Sequence, residues 1–159
     1  MTIVLCHGTF DVLHPGHIAH LKEAKSLGDV LVVSITADEY VMKGPGRPFF
    51  PLAQRMEMVK ALSCVDEVIP SFSYSALESI ERIRPAIYAK GKDYEIFSQD
   101  PTGKISAEVE AVEALGGRVI FTDTMLGSSS HILNHLAGRG LKGIMGVDTP
   151  EVIFDWLDE

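Results

Sequence analysis

Short apolar runs alternate along this chain with segments of helical periodicity, and that alternation restricts the fold more than any other feature. TIVLCHG reads as a strand, Pro15 to Leu27 as a helix and DVLVVSITA as a second strand, which together make one βαβ unit. The glycine- and proline-rich KGPGRPFFP then reads as a loop, PLAQRMEMVKALSC as a helix and DEVIPS as a short strand. A helix near Ser75 to Ile83, the strand AIYAKG, a loop with Asp100 and Pro101, the helix KISAEVEAVEALGG and the strand RVIFTD continue the pattern. A last core helix is expected to begin in SSSHILNHL.

Parallel neighbours need crossover connections, and those crossovers cover both faces of the sheet. The order of elements therefore predicts a three-layer, Rossmann-like α/β domain with a five-stranded parallel sheet. Ligands of such sheets bind beyond the carboxyl ends of the strands, where strand order reverses. With 159 residues and 46% hydrophobic composition, one domain is expected, over residues 1–137. Residues 138–159 read as a glycine-rich linker, GRGLKGIMG, and a terminal helix carrying Trp156, which either packs back on the domain or begins a longer chain. No apolar run reaches membrane-spanning length and no secretory signal pattern is present, so a cytoplasmic protein without a membrane partner is expected. Cys6 and Cys64 read as reduced core thiols. The formal charge of −8 argues against nucleic acid as a partner, so any phosphate site must be local.

Such a site is visible just past the first strand, where CHGTFDVLHPGHIAH holds His7, His14, His17 and His20. Pro15 suits the first turn of a helix and biases His14 toward an extended cap. Gly16 removes bulk from that turn, and His17 follows beside free backbone N–H groups, which is an anion site. Gly8 is expected to leave room for a phosphate to approach the backbone. A metal bound by His14, His17 and His20 is the competing reading, but structural zinc sites usually include cysteine ligands, catalytic ones need three convergent ligands, and His20 lies a further turn into the helix. His20 reads as a packing or surface residue, and His7 as either a hydrogen-bonded core residue or a site residue.

GTFDVLHPGH resembles the signature of the cytidylyltransferase-like nucleotidyltransferases, and the resemblance runs from about Ile3 to Leu136. GTFD is similar to the glycerol-3-phosphate cytidylyltransferase branch, while GRPFFPLAQRM and KGKDY resemble the adenylyltransferase branch that makes ADP-heptose. The resemblance implies attack of a phosphate monoester on the α-phosphorus of a nucleoside triphosphate, with pyrophosphate leaving. It implies small-molecule substrates, a homodimer, and His14, His17 and Lys43 as the catalytic residues. Thr9 and Phe10 enter the nucleotide site with Gly8 and Gly16. Arg55 is placed to reach a triphosphate or the acceptor phosphate, with a solvated helix arginine as the alternative; Arg47 is weaker. Lys90 and Gly91, at the carboxyl edge, can touch the base or the acceptor, whereas Asp93 could equally cap its own turn. Ser128, Ser129 and Ser130 can cap a helix. By resemblance they form a β- and γ-phosphate cradle.

Asp11 is either structural or faces the acceptor. Asp123 stands where the glycerol-3-phosphate enzymes carry an arginine; it either accepts hydrogen bonds from acceptor hydroxyls or merely ends its strand, with Arg55 or Lys92 supplying the charge. Magnesium is the expected cofactor because a triphosphate needs a hard cation, and it is carried in by the nucleotide because no paired carboxylates are evident. Neither the base, AMP or CMP being transferred, nor the phosphorylated sugar or polyol acceptor is encoded in these motifs. A nucleotide-binding regulatory module without catalysis is the reading from another class.

Overall fold

Five parallel strands make a single sheet in the order β3-β2-β1-β4-β5. In chain order the elements are β1 (Ile3–Gly8), α1 (Pro15–Ser26), β2 (Val30–Thr36), α2 (Leu52–Lys60), β3 (Glu67–Ser71), α3 (Leu77–Ile83), β4 (Ile87–Gly91), α4 (Lys104–Ala114) and β5 (Arg118–Thr122). This computed structural model describes residues 1–43, 46–92, 95 and 103–123. The helix expected in SSSHILNHL and the segment 138–159 lie outside the described residues. Among those residues no helix is long and apolar enough to cross a membrane.

Side chains alternate across each strand, so the sheet feeds two cores. Val4, Cys6, Leu31, Val33, Ile35, Ile87 and Ala89 pack on one face with Leu21 and Ala24 of α1 and Val59 of α2. Leu5, Val32, Ile69 and Tyr88 pack on the other with Ile80 of α3 and Val112 of α4. Both faces are covered, as the predicted class requires. The helix predicted over 51–64 stops at Lys60, because Leu62 and Cys64 reach the same core from a tight turn without continuing the helix. The helix predicted to run through Gly117 stops at Ala114. Gly116 takes φ 84°, and the Gly117 N–H closes back on the Val112 carbonyl in a glycine C-cap. A 3-10 turn over Asp38–Tyr40 went unforeseen.

Two buried ionic groups fasten the loops at the carboxyl edge. The Arg55 guanidinium, 0% exposed, donates from Nε to the Phe50 carbonyl, from Nη1 to the Thr9 and Thr36 carbonyls, and from Nη2 to Asp38 Oδ1, at 2.6 to 2.8 Å. It thereby joins the loop after β1, the end of β2, the 3-10 turn and the entry to α2. The Asp11 carboxylate, 2% exposed, accepts from Arg47 Nε at 3.0 Å and from the N–H groups of Phe49 and Phe50 at 2.9 and 3.0 Å. Arg47 in turn stacks over the Phe49 ring. One expectation is corrected here, for Arg55, and of the two readings left open for Asp11 the contacts are those of the structural one. Arg55 spends its donors on backbone carbonyls and Asp38 instead of a phosphate, and Asp11 faces Arg47 and two backbone N–H groups instead of an acceptor.

A lysine at position 55 keeps the charge but cannot span these separated acceptors. Arg55→Lys is expected to lower unfolding free energy by roughly 2–4 kcal/mol, because several buried carbonyls lose their donors together. Urea denaturation checks this, and a loss under about 1 kcal/mol would contradict the clamp.

Candidate active site

The order of the sheet reverses between β1 and β4, so a crevice opens beyond their carboxyl ends. Beyond β1 the chain turns at Phe10, whose φ of 49° lies in the left-handed region. Such a conformation costs about 1–3 kcal/mol and persists only where the surroundings impose it. Here the buried ring imposes it. It packs on His17, with centroids 5.4 Å apart, and lies over Gly8, where a Cβ would stand 3.0 Å from Phe10 Cε2. The space expected at Gly8 for a phosphate is therefore filled by Phe10, and the Phe10 side chain supports the site from the core without facing a nucleotide.

His14 caps α1 with an extended backbone, φ −140°. Its Nδ1 accepts from the Gly16 N–H at 3.1 Å, and its own backbone N–H donates to His17 Nδ1 at 3.3 Å. An imidazole whose Nδ1 accepts carries its proton on Nε2 when neutral. The cap thus fixes both rings as Nε2–H donors. The rings lie 3.9 Å apart, centroid to centroid, and the buried His14 Nε2 has no hydrogen-bond partner among the described residues. Burial holds His14 below its usual pKa. Burial also takes His17 down to about 4, helped by the positive charges of His14, Lys43 and His20. Both rings are neutral donors at pH 7.

Positive charge gathers around them. The Lys43 side chain is exposed, yet crowding of its ammonium by protein lowers its pKa; Arg47 and Lys90 add to the shift and Asp11 opposes it. Lys90, half-buried at the end of β4 with its Nζ 5.6 Å from the Tyr88 ring centre, also depresses His7 and His20. A chain of net charge −8 therefore presents a local positive field at this crevice. Gly91 ends β4 and is buried, and Thr9 is half-buried with its carbonyl held by Arg55. Lys92 stands 3.7 Å from Asp123, both exposed, while the Asp123 N–H donates to the Glu23 carboxylate on α1 at 3.1 Å. Asp93, Ser128, Ser129 and Ser130 lie outside the described residues.

His20 is buried, with Nδ1 2.7 Å from the Thr122 hydroxyl, which donates to the Lys90 carbonyl. Among the described residues no three His, Cys, Asp or Glu side chains converge on a point that could hold a metal. His7 is half-buried, its Nδ1 2.7 Å from Ser34 Oγ. Sequence reasoning missed Ser34, Thr36 and Ser71, which surround the same strand ends; the available signal was polar residues at alternate positions near the close of two apolar strands.

The cytidylyltransferase-like family model matches residues 5–133. The bifunctional protein HldE of Syntrophotalea carbinolica is 37% identical over 145 residues, covering 89% of this chain and 28% of that protein. HldE of Nitrosococcus oceani is 41% identical over 130 residues, covering 80% of this chain and 26% of that protein. The chain thus spans about a quarter of the length of these relatives. Among solved structures, the lipopolysaccharide core biosynthesis protein of Thermoplasma volcanium superposes with a TM-score of 0.64 at 27% identity, covering 79% of this chain and 99% of that one. A pantoate-beta-alanine ligase from Francisella tularensis, 17% identical with a TM-score of 0.54 and covering 99% of this chain and 77% of that one, shares the fold. With the matched span enclosing the His14 and His17 cap, the chain belongs to the cytidylyltransferase-like family of nucleotidyltransferases.

Proposed function

We propose that this protein transfers a nucleoside monophosphate, AMP or CMP, from a nucleoside triphosphate to the phosphate of a phosphorylated sugar. The observation that carries the reading is the pair of neutral imidazoles locked as Nε2–H donors at the opening of α1. An oxygen of the acceptor phosphate forms a bond to the α-phosphorus, the bond from that phosphorus to the bridging oxygen breaks, and pyrophosphate departs with the electron pair. The acceptor has a second pKa near 6, so it attacks as an anion and no protein base is required. The protein's part is to align the two substrates and to donate hydrogen bonds where charge grows. His14 and His17 donate to the transferred phosphate, and Lys43 and Lys90 offset its charge.

Magnesium on the triphosphate would supply charge neutralisation for the leaving pyrophosphate. Asp11 is engaged with Arg47, and the proposal has the ion carried in by the nucleotide. Similarity to the HldE proteins and the GRPFFPLAQRM and KGKDY segments support an adenylyl group and a heptose-type sugar phosphate, as in the ADP-heptose branch. GTFD supports the second reading, a glycerol-3-phosphate cytidylyltransferase. A pyrophosphate-release assay of ATP and CTP against sugar phosphates and glycerol 3-phosphate separates them.

His17→Ala is expected to lower kcat by about a hundredfold with little change in nucleotide affinity, as for loss of one preorganised donor. His20→Ala, which removes a buried ring and its contact with Thr122, should lower thermal stability and leave kcat within about tenfold. Equal kcat losses in both would overturn the assignment. Activity should vanish in EDTA and return with Mg²⁺ alone; stoichiometric zinc in the purified protein, lost together with activity in His14 or His17 variants, would refute this. Burial holds His7 at about 3 and His17 and His20 at about 4. The unfolded chain takes up these protons near pH 6.5 and the folded chain does not, so stability is full above about 6.5 and falls as pH drops toward 4. Urea midpoints between pH 7.5 and 4.5 measure the loss, and a flat profile would contradict it.

A further inference from the structure

The loop that carries Lys43 is held at both ends, while the lysine between them is not. Met42, Lys43 and Gly46 are exposed, and among the described residues no hydrogen bond or ion pair holds the Lys43 ammonium. An ammonium on a four-carbon stem is a mobile point charge, whereas neutralising a reacting phosphate requires a charge in a fixed place. The placement of the backbone that carries it is therefore what sets its reach.

Upstream, the 3-10 turn Asp38–Tyr40 closes with the Tyr40 N–H donating to the Ala37 carbonyl at 3.0 Å and the Val41 N–H to the Asp38 carbonyl at 3.2 Å. Asp38 Oδ1 accepts from the Arg55 guanidinium, and the Tyr40 ring packs edge-on with Tyr74 of the loop after β3, centroids 4.9 Å apart. Downstream, the Arg47 side chain, 5% exposed, donates from Nε to Asp11 Oδ2 at 3.0 Å, and its guanidinium lies 5.2 Å from the centre of the Phe49 ring. The same carboxylate accepts from the N–H groups of Phe49 and Phe50. The two anchors differ in what they join. The upstream one ties the loop to α2. The downstream one ties it to Asp11, which directly follows Phe10, whose ring packs on His17, and leads into the His14 cap. The electrostatics agree: Asp11 supports the charge on Lys43, and Lys43 in turn lowers the pKa of His17.

We propose that Asp11 and Arg47 are positioning residues that act through Lys43: their buried contact fixes the Lys43 loop against the turn that carries the His14 and His17 cap, so that the ammonium and the two imidazoles address the same phosphate. This rests on the role given to Lys43 above. A buried ion pair adds little net stability, because desolvation offsets its attraction, but its directional contacts set geometry. The Phe49 and Phe50 N–H groups already serve the carboxylate, so what the Arg47 contact adds is a tie on the loop itself.

The test is a double-mutant cycle of wild type, Arg47→Met, Lys43→Met and the double variant, with Arg47→Lys as the conservative change. Methionine keeps an apolar stem against Phe49 and leaves Asp11 its two N–H partners, so the fold is retained, and thermal melting monitors it. Pyrophosphate release with ATP or CTP and sugar phosphates gives kcat, and equilibrium titration gives affinity for the magnesium nucleotides. Arg47→Met should lower kcat about tenfold and weaken nucleotide binding about threefold, as for a misplaced charged group. In the Lys43→Met background it should change either quantity by less than about twofold. Arg47→Lys should stand within about threefold of wild type, since an ammonium can still donate to Asp11. A merely structural role would lower both backgrounds alike. Additive effects, or an Arg47→Met effect under about twofold in the wild-type background, therefore overturn the positioning role and leave the proposed function standing. Non-additive nucleotide affinities in a protein that turns over no sugar phosphate uphold the positioning role and sink the proposed function. A wild type that binds neither nucleotide overturns both.

Discussion

The carboxyl edge of this sheet depends on one buried cation. Strand ends and loops at such an edge leave carbonyl groups without ladder partners, and each needs a donor. Arg55 supplies donors to three of them from a single planar group, reaching loop, strand and helix entry that lie far apart in sequence. Its charge is then balanced by Asp38, which is partly open to solvent, so the pair escapes the full desolvation cost of two buried ions. The turn at Thr9 and Phe10 is held from below by this group and from above by the Phe10 ring. The placement of α1, and with it both site histidines, follows from that turn.

The cap then does with backbone groups what many active sites do with a carboxylate. Each imidazole is oriented through Nδ1 by a main-chain N–H, one from Gly16 and one from His14 itself, so orientation needs no negative charge beside the phosphate site. An aspartate in that place would repel the triphosphate. Burial keeps both rings neutral, with Lys43 adding to the effect at His17, which preserves them as donors without spending the positive field supplied by Lys43 and Lys90.

Much of this was legible from residue types. The β/α alternation implied the covered parallel sheet, and Pro15 after His14 implied the extended cap, because both follow from local geometry. Strand order was not legible, since nothing local says that β4 joins β1 and not β3. Arg55 misled for a related reason. An arginine one turn into a helix beside a glycine-rich loop suggests an anion, but its partners are neutral carbonyls contributed by residues as distant as Thr9, and main-chain acceptors leave no mark in a sequence. Gly8 misled too: its missing side chain admits a ring two residues on, through a backbone angle that sequence does not display.

Strand β1 is a divider between two chemistries. On the α1 side its end carries the His14 and His17 cap, which the proposed function makes the phosphate donors; on the α3 side it carries His7 and the hydroxyls of its neighbours. In-line displacement requires that nucleophile and leaving group approach the phosphorus from opposite directions, and a nucleotide and an acceptor crowded onto one face could not satisfy that. On the proposed reading, the transferred phosphate lies beyond the Gly8 to Phe10 turn, at the carboxyl end of β1. The left-handed bend at Phe10 keeps the main chain low there, and the Arg55 clamp keeps it from moving. Strain at Phe10 and burial of Arg55 are then two parts of one requirement: a rigid turn leading into the His14 and His17 cap.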